Sequence, residues 1–185
     1  MKGLKLAKTG YLAMSVAFYI AGIVCMILPE IPPFRACVVS GIVLICYGII
    51  KIIGYFSKEL YCLAFQYDLA CGLLLIVLGV IILTCSQQIM PHLFVGLGVL
   101  VLLDSLLSIQ MSKDSKQFGL ETWYVILITS VVAGVFGVLL IVIPPTMRLA
   151  RHIMSGAALL SMGFKNQCVM HYAVSNREVQ IPEEE

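Results

Sequence analysis

Six stretches of this chain, approximately residues 11–29, 34–56, 68–86, 90–110, 122–143 and 147–168, are apolar with few or no charges. Each is close to the roughly 20 residues that a helix needs to cross about 30 Å of hydrocarbon. This restricts the fold severely, because a backbone in lipid must satisfy its own hydrogen bonds and a helix does so within one segment. Composition closes off the soluble alternative. Of 185 residues, 61% are apolar and 12% charged, with a mean hydropathy of +1.02, against about half apolar and a quarter charged in an ordinary soluble domain. The expectation is an all-α integral membrane protein, one membrane domain over 1–185, whose surrounding partner is the lipid bilayer. The end of the chain, 171–185, reads as a short polar tail, since EVQIPEEE is too brief and acidic to fold alone.

Lys2, Lys5 and Lys8 before an apolar run could belong to a secretory signal. The run from Tyr11 to Leu28 is longer than a signal core, however, and ends at Pro29 and Glu30 without a small-x-small cleavage pattern, so it reads as a retained first span. Lysines and arginines of short loops tend to stay cytoplasmic. One side would carry Lys2, Lys5, Lys8, Lys58, Lys113, Lys116 and Arg177, and the other only Arg35, Arg148 and Arg151. Both termini are therefore expected on the cytoplasmic side. Lys51, Lys165 and Asp68 lie near helix ends, where snorkelling would explain them. The sixth segment is the weakest span, because its uninterrupted apolar stretch, Ile153 to Phe164, is short.

The chain also repeats itself. GIVCMILP begins at Gly22, GVIILTCS at Gly79 and GVLLIVIP at Gly137, so the starting glycines are 57 and 58 positions apart. The same shifts carry Gly41 to Gly98 to Gly156, Gly48 to Ser105 to Gly163, and Ser15 to Gly72 to Ser130. Three copies of one helical hairpin result, about 11–57, 68–112 and 122–170. Two crossings per unit give the copies one orientation, as parallel repeats about a pseudo-threefold axis along the membrane normal. Within each helix the small residues are seven apart, close to two helical turns, and so share one face. Stripes of this kind let helix backbones approach closely in lipid, and Ser15, Gly22, Gly41, Gly48, Gly72, Gly79, Gly98, Ser130, Gly137, Gly156 and Gly163 are expected to be packing positions. Pro29, Pro32 and Pro33, then Pro144 and Pro145, end helices at the outer turns, whereas the middle copy has Ser86 and later Pro91.

Hairpins with a glycine–apolar run–proline first helix, and a second helix of the type SGIVLICYGIIKIIGYF at 40–56, resemble the bacterial HdeD-like acid-resistance membrane proteins. The likeness spans roughly residues 10–170. It implies a six-span protein of the bacterial inner membrane linked to acid stress, with no catalytic residues to carry over. The middle copy departs from it at Ser86.

Chemistry is sparse. Asp104 lies within GLGVLVLLDSLLSIQ, where a charge near the bilayer centre costs at least about 2.5–3.5 kcal/mol on insertion scales. Its counterparts in the other copies are Tyr47 and Met162. With Ser105 and Lys51 it forms the candidate polar site, read either as an ion-paired lock between helices or as a proton carrier. Arg148, Arg151 and His152 cluster at one helix start, with a lipid phosphate or Glu30 as the ordinary partner and a pH sensor on His152 as the alternative. Trp123 and Tyr124 suit interfacial anchoring. Cys25, Cys37, Cys46, Cys71 and Cys85 fall in or at the ends of spans, and Cys62 and Cys168 on the reducing side, so free thiols are expected. His92, His152 and His171 are scattered, so no metal is expected, nor a cofactor or a nucleic-acid partner. Phosphate loops and nucleophile elbows are absent. The reading is a non-enzymatic inner-membrane protein contributing to acid or envelope stress tolerance. The alternatives are a small proton or solute transporter using Asp104, and a scaffold with a homo-oligomeric or membrane-protein partner.

Overall fold

Apolar residues line the outside of this bundle and charged residues its centre, the reverse of a soluble fold. The computed structural model describes residues 2–28, 32–56, 68–117, 122–144 and 146–171. Helix α1 runs Lys2–Ile27, α2 Pro33–Tyr55 and α3 Asp68–Thr84. After Cys85 come a single-turn α4, Ser86–Ile89, and a 3-10 turn, Met90–His92. Then follow α5 Leu93–Gln117, α6 Trp123–Val142 and α7 Arg148–Val169. No strand occurs among the described residues. Leu12, Val16, Ile20, Leu73, Ile128 and Val135 are among many large apolar side chains exposed on the helices, far more than water would tolerate and ordinary for a surface in contact with acyl chains.

Local sequence sets the helix ends. Pro33 occupies the first turn of α2, where its missing N–H removes nothing from the helix. Ile143 turns extended (φ −63°, ψ 123°) before Pro144, which disfavours helical geometry in the residue it follows. At Ser86 nothing stops the chain in that way, and α4 with the 3-10 turn fills the connection. Accordingly α5 starts at Leu93 rather than 90. It also continues past 110 to Gln117, because Ser112 is buried and donates to the Trp123 carbonyl (2.8 Å) while Lys116 lies over the Trp123 ring at 4.5 Å.

Four helical segments are long and apolar enough to cross a membrane by themselves: Thr9–Ile27, Phe34–Tyr55, Ser86–Gln117 and Trp123–Val142. Asp68–Thr84 is apolar but has 17 residues. Helix α7 is long enough, yet it carries Arg148, Arg151 and Lys165, and its buried face includes Arg151, Ser155, Lys165 and Asn166. Its polarity is turned inward, which is why its composition reads so weakly as a span. Pro29, Glu30, Lys58, Cys62, Pro145, Arg177 and the tail from 172 lie outside the described residues, as do the side chains of Lys2, Lys5 and Lys8. The six described cysteines are free.

The closest packing joins α2 to α3, α5 to α6, and α7 to α1. Each pair joins the second helix of one unit expected from the sequence to the first helix of another, while α3 and α5 make little direct contact. The reason is visible in the glycines. A Cβ on Gly48 would stand 2.6 Å from the Gly72 carbonyl oxygen, and one on Gly72 2.7 Å from that of Gly48. Gly41 and Gly79 face each other likewise, as do Gly98 and Gly137, and Gly22 and Gly156. Gly163 abuts the Ser15 carbonyl. In the α5–α6 pair, the fully buried Ser130 is one turn from Gly134, whose Cβ position is 3.4 Å from that of Ser105. These small residues all face the partner helix of their pair. Backbones that touch gain dispersion and Cα–H···O contacts, which matter in lipid because burial of apolar surface gives little.

Gly48→Ala is therefore expected to destabilise the protein by about 1–3 kcal/mol through overpacking against backbone. Gly96→Ala, with nothing within 4 Å of its Cβ position, should change stability little. Thermal unfolding in detergent measures both, and equal effects would contradict the packing described.

A buried charge network as candidate functional site

The polar core lies where α2 and α7 each have about one turn left and α3 begins. Lys51 comes from α2, Asp68 is the first residue of α3, Asp104 is in mid-α5, and Lys165 comes from α7. Each is turned inward by its helix: Lys51 is 6% exposed, Asp68 5% and Lys165 1%. The snorkelling expected for these three from their positions near helix ends does not occur. The bundle interior supplies opposite charges at the same level, and no long side chain has to reach for water.

The contacts form one alternating chain. The Tyr11 hydroxyl donates to Asp68 Oδ2, and Lys51 Nζ donates to Asp68 Oδ1 at 2.8 Å. The same ammonium is 3.4 Å from Asp104 Oδ1. Lys165 Nζ pairs with Asp104 Oδ2 and donates to Ser108 Oγ at 3.0 Å. Beside this chain, Asn166 Nδ2 donates to the Tyr47 hydroxyl at 2.9 Å. Lys51 Nζ also stands 5.0 Å from the Tyr47 ring centroid and 5.6 Å from that of Tyr11, so two aromatic faces help to hold the cation. Two aspartates and two lysines leave no net charge. That balance matters, because a single buried ion costs several kcal/mol whereas a paired and hydrogen-bonded set recovers most of it.

The network also does mechanical work. Close glycine contacts make three helix pairs, and the network's contacts largely cross between them: Tyr11 of α1 to Asp68 of α3, Lys51 of α2 to Asp104 of α5, Lys165 of α7 to Asp104, and Asn166 of α7 to Tyr47 of α2. Only the Lys51–Asp68 pair lies within one of the tight units.

Of the residues expected at this site, Asp104 and Lys51 meet in the network, and Asp104 gains a second cation in Lys165. Ser105 is not part of it. It is buried on the α6 side of α5, and its hydroxyl donates to the Val101 carbonyl at 2.7 Å. Asp68, Lys165, Tyr11, Tyr47, Ser108 and Asn166 went unrecognised as partners. Among the described residues no group of three or more His, Cys, Asp or Glu assembles. Beside Asp104 a cavity of about 50 Å³ extends towards the other end of the bundle, and apart from Asp104 and Tyr47 its lining is almost wholly apolar, including Phe18, Leu97, Val101 and Met162.

The family profile described as a short repeat of unknown function (DUF308) matches twice, over residues 13–84 and 71–142, the second match displaced by 58 residues from the first. The chain belongs to the DUF308 family. Each DUF308 match spans three of the long helices, and the two share most of α3. No curated protein and no solved structure matches the chain.

Removing Asp104 leaves Lys165 in the core without a carboxylate, so Asp104→Leu should cost about 3–5 kcal/mol, and Lys165→Met, which leaves Asp104 its contact with Lys51 at 3.4 Å, should cost less. The double variant is expected to cost clearly less than the sum. Unfolding of the four proteins in a double-mutant cycle measures this coupling, and additive effects would show that the pair is not linked.

Proposed function

We propose that this DUF308 protein is a non-enzymatic, multi-pass protein of the bacterial inner membrane, of the HdeD type, contributing to acid or envelope stress tolerance. HdeD-like proteins belong to the same family. In this reading the six long helices all cross the bilayer, as three copies of one hairpin with both termini cytoplasmic. Helix α3 completes its crossing with flanking residues, and α7 crosses with its charges turned to the axis.

One observation supports the stress reading above the others: the buried carboxylates of Asp68 and Asp104 are matched by cations and lie behind an apolar half of the bundle. Ionised carboxylates paired in this way tie their helices to those of the cations. Placed towards the cytoplasmic end, they are shielded from acid outside. The described residues towards the other end that can carry charge are basic or histidine, namely Arg35, Arg148, Arg151, His152 and His92. External acid therefore finds few carboxylates to neutralise there.

The second reading, a small proton or solute transporter using Asp104, draws on the cavity beside that residue. A transmembrane route would need polar groups along the apolar half, which the cavity lining does not offer. The two readings separate at Val101, which lines that cavity. With a cysteine at 101, labelling by a membrane-impermeant thiol reagent, read on that peptide by mass spectrometry, should be negligible for the packed bundle, whereas rapid labelling would favour the transporter.

The physiological test is acid challenge of cells with and without the gene. Lower survival without it is expected, with rescue by the wild-type gene and by Asp104→Asn if the protein folds normally. Unchanged survival across conditions would remove the stress reading, and failure of Asp104→Asn despite normal folding would restore the proton role.

A further inference from the structure

Arg151 lies near the opposite end of α7 from Lys165, about 21 Å away along the helix. It is 7% exposed. Its guanidinium lies over the ring of Phe94 from α5, 4.8 Å from the centroid, and the His152 ring meets the same Phe94 edge-on at 5.0 Å. The buried Nε has no hydrogen-bond partner, and among the described residues no carboxylate pairs with the group. An arginine cannot discard its proton to escape burial, and it presents five donors in a fixed fork. Phe94 offers the cation a face but satisfies none of those donors.

Three further features indicate what would satisfy them. Arg151 is in the first turns of α7, where unpaired backbone N–H groups and the helix dipole favour an anion. Arg148, one turn earlier on the same side, is exposed and adds a second cation. The outer surface of the bundle around this end, Met147, Leu149 and Ile153 included, is exposed and apolar, as suits a surface against acyl chains. A phosphate carried on acyl chains is therefore available at this level.

We propose that Arg151 anchors a site for the phosphate group of a membrane phospholipid, whose acyl chains lie against the apolar outer surface of the bundle. Arg148 adds long-range attraction at the rim, and Phe94 fixes the guanidinium plane so that its fork faces the ligand.

The test follows the unfolding temperature of the full-length protein, delipidated in detergent, during titration with phosphatidylglycerol, with diacylglycerol of the same chains, and with inorganic phosphate. Phosphatidylglycerol should raise Tm by several degrees and the other two should not. Arg151→Gln should lose most of that rise, and Arg151→Lys, which keeps charge without the fork, should recover only part. Equal rises in wild type and Arg151→Gln would overturn the proposal. If Arg151→Gln fails to fold, an unreduced response in Arg151→Lys does the same. A rise with inorganic phosphate alone would assign the site to a free anion instead of a lipid. Glu30 provides the remaining control. If Glu30→Gln lowers the Tm of lipid-free protein as much as Arg151→Gln does, and the double variant adds nothing, the carboxylate of this chain is the partner and the lipid site is refuted.

Discussion

A helix in lipid gains little by exchanging acyl chains for another helix, so whatever brings these helices together has to be made of close contact or polar attraction. The structure uses the two in different places. Reciprocal backbone approaches at Gly48 and Gly72, Gly41 and Gly79, Gly98 and Gly137, and Gly22 and Gly156 zip helices into three antiparallel pairs. The lysine–aspartate network then ties pair to pair. Neither would suffice alone. Glycine faces are short-ranged and serve one neighbour each, whereas the ionic groups, placed at the common centre, reach several helices at once.

The network reads differently once the repeat shifts are applied to it. Tyr11, Asp68 and Ile126 are equivalent, as are Tyr47, Asp104 and Met162, and Lys51, Ser108 and Asn166. Three positions related by these shifts therefore build nearly the whole polar centre, with Lys165 as a neighbour of the third. The repeat places side chains at the axis, and the identities have diverged until anion, cation and hydroxyl complement one another. A symmetric set of three aspartates would carry charge that nothing at the centre could neutralise. Divergence between the copies is what makes the centre electrically balanced.

Much of the fold was legible in the sequence, because the constraint that matters in lipid is written in small residues. Columns such as Gly41 and Gly48 recur in register, and their seven-residue spacing puts them on one face. What could not be read was the identity of the face opposite. A glycine states that something comes close, not which helix, so packing across hairpins, as between Gly41 and Gly79, was indistinguishable from packing within them. The charges failed for a related reason. Asp68 and Lys165 sit near helix ends, where a single helix considered alone gives a cheap route to water, and only the assembled bundle shows opposite charges at the same depth. Applying the repeat shift to Tyr11 and Lys51 was the available signal, since it sends them to Asp68, Ser108 and Asn166.

The pairing of α7 with α1 joins the last of the described helices to the first. In the proposed topology α1 would enter the membrane while its own partner is still unmade, whereas α2 and α5 would each receive theirs as soon as the next long helix follows. The face bearing Ser15 and Gly22 would wait until α7 follows. Completion of this third pair would therefore be a late event, and a chain truncated before α7 would keep two finished pairs and one helix without its match.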